Sequence, residues 1–365
     1  MKIRKRLASE VAEKLGLKIK KNDQDGKKPK YSLNDDQLNQ LNQISNVSNL
    51  SIKGKSTLKN KDGEVVMEWV KTEITKKQQI ENLRQAIIGL NEDIIPIDPI
   101  PAPKKDTYKK LINQYTLTDY HLGMMAWGEE TGSDWDIKIA ETTLIKYFKY
   151  AIENSPNAEC AIFAQLGDFL HWDGMDAVTP GNKHLLDADT RFTKLVRVAI
   201  KVIRKIIQML LEKYPTVKVI MAEGNHDLAS SIWLRETLNV FYQNEPRITV
   251  DTNASPYYCV TWGSVCLYYH HGHKRNVSNL DSVLVARFKK EYGSSDFVYA
   301  HTGHKHSVDI KETNLMIIEQ HRTLSAKDAY SSRGGWHSGR DSKVITYHKE
   351  FGEVDRRTIN IKVIE

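Results

Sequence analysis

Cysteine is scarce: the 365 residues hold three, Cys160, Cys259 and Cys266, each inside an apolar, strand-like run. Their spacing fits neither a thiolate zinc site nor an even disulfide framework, so both are excluded. Buried, reduced thiols in a cytoplasmic protein are the expectation. Long hydrophobic runs are also missing, and no window approaches the roughly 18 apolar residues of a membrane span. The basic N-terminus, MKIRKRLASEVAEKLGL, lacks the apolar core of a signal peptide. No membrane partner is expected. Proline is sparse, yet four of the ten fall within residues 94–105, IIPIDPIPAPKK. Such a run holds neither a helix nor a central strand and reads as a semi-extended linker.

Charge is present in both signs but unevenly placed. The net charge is +7. Residues 1–110 hold 23 Lys+Arg against 15 Asp+Glu, giving +8, and the remainder holds 30 against 31, giving −1. The basic excess thus belongs to the N-terminal third, where it suits nucleic acid or an acidic protein partner, or forms a solvated lysine-rich face.

Residues 3–16, 32–44 and 75–90 read as helices. Asp62-Gly63 between two extended runs signals a hairpin within 56–70. Helices with a basic hairpin suit a small α+β module of winged-helix type over residues 1–93. The linker follows, and residues 106–365 form the second domain. There, strand-like and helix-like segments alternate: strands at 111–118, 159–166 and 217–221, helices at 135–152 and 187–213, and a further helix from Ser230. Short strands dominate afterwards, at 247–250, 257–261, 265–270, 297–301, 315–319, 343–347 and 358–363. An α/β first half and a β-rich second half point to two packed sheets with helices outside.

Five strand-end loops carry side chains suited to a metal ion. They are Asp119-Tyr120-His121-Leu122-Gly123, Gly167-Asp168-Phe169-Leu170-His171, Gly224-Asn225-His226-Asp227, His270-His271-Gly272-His273 and His301-Thr302-Gly303-His304-Lys305-His306. Taken singly, each has an ordinary explanation: a strand histidine is usually a core residue, and an Asp before a turn usually caps it. Taken together they hold nine of the thirteen histidines. Asp-x-His and His-x-His in extended chain point both side chains one way. Mixed His, Asp and Asn donors suit Mn, Fe or Zn.

In this order the five motifs resemble the calcineurin-like metallophosphoesterase superfamily, over roughly residues 111–310. The resemblance implies a four-layer α/β/β/α sandwich with two divalent ions, manganese first, at the strand ends. Carried over, Asp119, His121 and His306 would bind one ion, Asn225, His271 and His304 the other, and Asp168 would bridge them. His270 and His273 are adjacent candidates for the place given to His271. His226 would face the scissile phosphate, oriented by Asp227, while water activated by both ions attacks.

Asp-x-His-Leu-Gly, Gly-Asp-x-x-His and Gly-Asn-His-Asp look like the DNA double-strand-break-repair exonuclease branch, in which a histidine at the place of His171 assists cleavage. The resemblance therefore implies a DNA or RNA nuclease. A small-molecule phosphodiesterase or phosphatase, and a nucleic-acid-binding protein with a vestigial site, are the alternatives. The stretch 172–190 is an insertion. Trp127 and Trp172 suit either base stacking or core packing. Asp189 and Arg191 suit either the site or helix capping. The loop 331–341, with Arg333, Trp336, His337 and Arg340, suits a phosphate, a base or plain surface.

Overall fold

Strand periodicity of two sorts the apolar residues of the β-rich part into separate cores. On one strand Ile162 and Ala164 face one way and Ala161 and Phe163 the other. The computed structural model describes residues 50–59, 62, 65–74, 100–103 and 108–365. The chain divides into two compact units, Met1–Arg84 and Gln85–Glu365.

In the smaller unit β1 (Leu50–Lys59) and β2 (Val65–Ile74) form an antiparallel hairpin around Asp62, with Thr57 opposite Glu68. That is the hairpin expected at Asp62-Gly63. The three helices expected at 3–16, 32–44 and 75–90 lie outside the described residues, and the winged-helix reading with them.

The described residues of the larger unit form two sheets. The first has strands β3 (Leu111–Leu117), β4 (Cys160–Gln165), β5 (Thr216–Met221), β6 (Ile248–Val250), β12 (Asp341–His348) and β13 (Gly352–Asn360). Their order is β13-β12-β3-β4-β5-β6; β3 to β6 are parallel, and β12 and β13 close one edge antiparallel. The second has β7 (Tyr258–Trp262), β8 (Val265–Tyr269), β9 (Phe297–Thr302), β10 (Asp309–Glu312) and β11 (Ile317–Gln320), ordered β10-β11-β9-β8-β7.

The inner faces meet in one core: Ile112, Ile162, Ala164, Ile220 and Ile345 from the first sheet against Val260, Leu267 and Tyr269 from the second. Helix α1 (Gly128–Thr131) is a single turn. Helices α2 (Ile137–Glu153) and α3 (Phe192–Lys213) cover the outer face of the first sheet. In α3, Leu195, Ala199, Val202, Ile206 and Leu210 recur at helical spacing and are all buried. Helix α4 (Leu228–Phe241) follows the Gly224–Asp227 loop. Helix α5 (Leu280–Arg287) lays Leu280 and Leu284 on Cys266, Tyr268 and Ile318 of the second sheet's outer face, and α6 (Lys289–Gly293) follows. The layers run α/β/β/α, the sandwich that the resemblance implied.

Two expectations are corrected, for the helix from Asp187 and the last strand, and two open alternatives are decided, at Trp172 and Asp189. The helix expected from Asp187 starts at Phe192, because residues 187–189 pair with Met124 and its neighbours: Met125 N–H donates to the Asp187 carbonyl (2.9 Å) and Asp189 N–H to the Gly123 carbonyl (2.9 Å). The last strand runs over Gly352–Asn360, and Ile361–Val363 is a 3-10 turn. Trp172 is a core residue, 1% exposed. Asp189 caps α2, accepting from Ile137 N–H at 3.0 Å, and Asp136 caps it too, accepting from Ile139 N–H at 2.6 Å. Arg191 sits exposed at the start of α3. All three cysteines are free, with Cys160 and Cys266 buried and Cys259 half-buried. No helix among the described residues is long and apolar enough to cross a membrane.

Candidate metal centre

Among the described residues six other than glycine have positive φ, and five of them are candidate ligands: Asp119 (49°), His121 (47°), Asp168 (51°), His304 (74°) and His306 (54°). The left-handed region is unfavourable for a residue with a Cβ, by roughly 1–2 kcal/mol each. Strain of this kind persists only where surrounding structure enforces it, and it gathers at functional sites. Two glycines allow the crowding. A Cβ on Gly224 would lie 2.0 Å from Asp168 Oδ1, and one on Gly303 would lie 1.8 Å from Thr118 Oγ1.

The loops leave β3, β4, β5, β8 and β9 at their C-terminal ends and bring their donors together. His306 Nε2 lies 3.2 Å from Asp119 Oδ1 and 3.3 Å from His121 Nε2. His271 Nε2 lies 3.1 Å from Asp168 Oδ2, 3.2 Å from Asn225 Oδ1 and 3.9 Å from Asp119 Oδ1. Two donor groups result, Asp119–His121–His306 and Asp168–His271–His304, with donor atoms in each within 4.8 Å of one another. Asn225 joins the second group through His271. The structure thus brings the seven residues named from the sequence close together, with Asp168 in the second group.

Second contacts fix the donors. His271 Nδ1 faces the Leu166 carbonyl at 2.9 Å, which directs Nε2 at the site. Asp119 Oδ2 accepts from Thr118 Oγ1 (2.6 Å) and His304 N–H (2.8 Å), and Asp168 Oδ1 accepts from His226 N–H (2.7 Å). Thr323 Oγ1 and Ser325 Oγ donate to the Asp119 carbonyl at 2.7 and 3.1 Å. These two hydroxyls carry no motif, and only their position after β11 brings them there.

His226 and Asp227 part company. Asp227 accepts from Leu170 N–H (3.0 Å) and Gly224 N–H (3.1 Å), so it stitches two loops together. The expected contact with the His226 ring is replaced by the His171 carbonyl, 2.8 Å from His226 Nδ1. The His171 ring stacks on that of His226, with centroids 5.6 Å apart and planes at 22°. His171 Nδ1 is 3.4 Å from His121 Nδ1. His121, His171 and His226 therefore form a third convergent group.

Of the remaining loop histidines, His270 turns away, with Nδ1 against the Pro256 carbonyl (2.9 Å) and its ring on Tyr257. His273 stands 5.3 Å from the His271 ring, and neither nitrogen has a hydrogen-bond partner. Burial pushes His273 down to about 3. His301 points into the sandwich, where it meets His321 (2.9 Å) and Tyr347 (2.9 Å). His301, Glu319 and His321 also converge. Both Glu319 oxygens there are already paired, with Lys343 and Arg356, which is ill suited to a metal ion.

The electrostatics favour a cation. Burial disfavours charge on Asp119, yet His306 and His271 outweigh it and hold the carboxyl below the usual carboxylate range. Burial acts likewise on Asp168, and His271 and His226 overcome it. His271 is raised to about 9: burial opposes this, but Asp168 and Asp119 prevail. Burial and the nearby His226 push His121 well down, and His171 to about 3. Burial and the charge of Asp168 lift Asp227 to about 7. Asp119 Oδ1 and His171 Nε2 are buried without a hydrogen-bond partner. Two charged carboxylates that draw a proton onto His271 would draw a divalent cation in its place, and carboxylate and imidazole donors converging on one point are the donor set of such an ion.

No protein-family model matches the sequence, and no curated protein sequence does either. Among solved structures the chain is similar to a dimetal phosphatase from Danio rerio, with 9% identity and a TM-score of 0.36 over 68% of this chain and 99% of that one. It is also similar to an archaeal phosphodiesterase, with 15% identity and a TM-score of 0.35 over 68% and 99%. A predicted phosphoesterase from Streptococcus pneumoniae TIGR4 aligns at 9% identity and a TM-score of 0.30 over 68% and 98%. Likenesses this faint say nothing of what the chain does, and its own donors must.

Proposed function

We propose that the chain is a metal-dependent phosphodiesterase whose substrate is nucleic acid, DNA first. The observation that carries the reading is the convergence of two donor groups through residues held at positive φ. Asp119, His121 and His306 would hold one divalent ion and Asn225, His271 and His304 the other, with Asp168 between them. Manganese suits this mixture of nitrogen and oxygen donors. When bound, a pair of such ions neutralises phosphate oxygens and supplies a water-derived nucleophile near neutral pH.

The chain's own residues do the rest. The His171 carbonyl fixes the His226 ring, and because a carbonyl only accepts, Nδ1 carries the proton. Only when the ring is doubly protonated does Nε2 also carry a proton, and in that form it would meet the leaving oxygen and pass it that proton, keeping the one on Nδ1. Asn225 donates a neutral oxygen, which limits the negative charge that an anionic diester must approach. The basic excess of residues 1–110 would add attraction for the same polyanion.

The test is hydrolysis by manganese-loaded protein of bis-p-nitrophenyl phosphate and of end-labelled single- and double-stranded DNA, with His226→Ala as control. Cleavage of DNA lost in the variant supports the proposal. Turnover of the small diester alone would move the substrate to a small phosphoester, and no turnover of any would sink the reading.

A further inference from the structure

Resting on the phosphodiesterase reading, we propose that Tyr330 and Trp336 form a stacking platform for an unpaired base next to the scissile phosphate. The substrate class is then a strand with accessible bases, beyond the phosphodiester group alone.

Five aromatic residues are exposed among the described residues: Tyr108, Trp127, Tyr330, Trp336 and Phe351. Tyr330 is 71% and Trp336 56% exposed, and their rings lie 5.2 Å apart at 52°. Large apolar rings left together in water mark a contact surface. This pair is tied to the metal centre by covalent chain. Ser325 donates to the Asp119 carbonyl, Ala326 is buried, and Asp328 then caps helix α7 (Ala329–Arg333), accepting from Ser331 N–H at 2.8 Å. Tyr330 lies on that first turn.

The platform is braced. Ser332 Oγ donates to the Glu130 carbonyl (2.7 Å), and Arg333 pairs with the Glu130 carboxylate (2.8 Å). Trp336 N–H donates to the Ser331 carbonyl (3.1 Å), and its ring packs over Gly334. Glu130 belongs to α1, whose preceding residue is the exposed Trp127. Lys327 beside His337 (3.0 Å) and the exposed Arg333 add cations to the same rim. Flat apolar rings with cations beside an anion-binding centre match a base joined to a phosphodiester. A phosphate ester without a flat apolar face leaves these rings unused.

The experiment compares full-length protein with Tyr330→Ala, Trp336→Ala and Trp336→Phe. The probes are a short oligothymidylate and a strand of equal length made of abasic tetrahydrofuran sites. Trp336→Ala is expected to raise KM for the oligothymidylate about tenfold, the size of one lost stack, and to leave kcat little changed. Trp336→Phe recovers most of the loss, and hydrolysis of the abasic strand is the same in all variants. Binding read by tryptophan fluorescence gives the same ranking without catalysis: quenching by the oligothymidylate, weak with the abasic strand and reduced in Trp336→Ala. Equal behaviour of the two strands, or unchanged KM and quenching in Trp336→Ala, overturns the platform and leaves the rings to a protein partner. Failure to hydrolyse bis-p-nitrophenyl phosphate would instead remove the phosphodiesterase reading, and the quenching data would still decide the platform.

Discussion

The Nδ1 atom of His226 lies 2.8 Å from the carbonyl oxygen of His171. The tautomer of His226 is thereby set by a backbone group that no side-chain substitution at position 171 removes. His226→Ala is expected to lower kcat by about 10²- to 10⁴-fold with bound metal unchanged. His171→Ala should lose less, and its loss should run through His121, whose ring it touches. Steady-state kinetics beside metal analysis checks both. Equal kcat losses in the two variants at full metal content would show that the His171 ring, too, acts on the substrate.

Asp168 meets His271 at 3.1 Å and accepts from the amide of His226 at 2.7 Å, whose ring stands 4.7 Å from that of His121 in the other group. Manganese at about 100 times its Kd should stabilise the folded chain by about 2.7 kcal/mol per site. Asp168→Ala is expected to abolish this gain at both sites, whereas His306→Ala should spare the second. Thermal melts with manganese and with chelator measure it. Full stabilisation of Asp168→Ala would end the bridging role.

The metal centre was legible in the sequence because each donor follows an apolar strand, and strand ends in such sheets gather on one edge. Sequence left open which of His270, His271 and His273 belongs there. The answer depends on the Leu166 carbonyl, which comes from another strand. Thr323 and Ser325 escape notice for the same reason: their contacts with the centre span long sequence separations and leave no local pattern. Helix α5 was missed although Leu280 and Leu284 have helical spacing, because the surrounding strand signals drew the reading. At 187–191 pairing with residues 123–125 overrides the helical pattern of the sequence.

The buried His301–His321–Glu319 chain should make the fold sensitive to acid. Burial holds His321 at about 4, below its ordinary 6.5, and pushes His301 well down. Each therefore binds fewer protons folded than unfolded in this window, so stability is lost as pH falls from 6.5 through 4. The share of His321 is on the order of 3 kcal/mol. Glu319 is held at about 2, where His321, His301 and Lys343 overcome burial, and it adds a further loss below its ordinary 4.5. Urea denaturation between pH 7.5 and 4.5 should show the fall, and His321→Gln should flatten it. An equal slope in the variant would assign the acid sensitivity to other groups.

Gly224 tests the packing of the centre itself. A Cβ there would stand 2.0 Å from Asp168 Oδ1 and 2.2 Å from Asp168 N, and the second of these is backbone that cannot swing aside. Gly224→Ala must therefore displace either its own loop or Asp168. A destabilisation of about 1–3 kcal/mol is expected, together with weaker manganese binding, since Asp168 is among the donors. Gly181→Ala is the control, because nothing lies within 4 Å of its Cβ. Its effect should stay within about 0.5 kcal/mol. Urea denaturation in chelator gives the first quantity and a manganese isotherm the second. If Gly224→Ala bound manganese as the wild type does, Asp168 would not need the position it now holds to ligate, and the close approach of these two loops would serve packing alone.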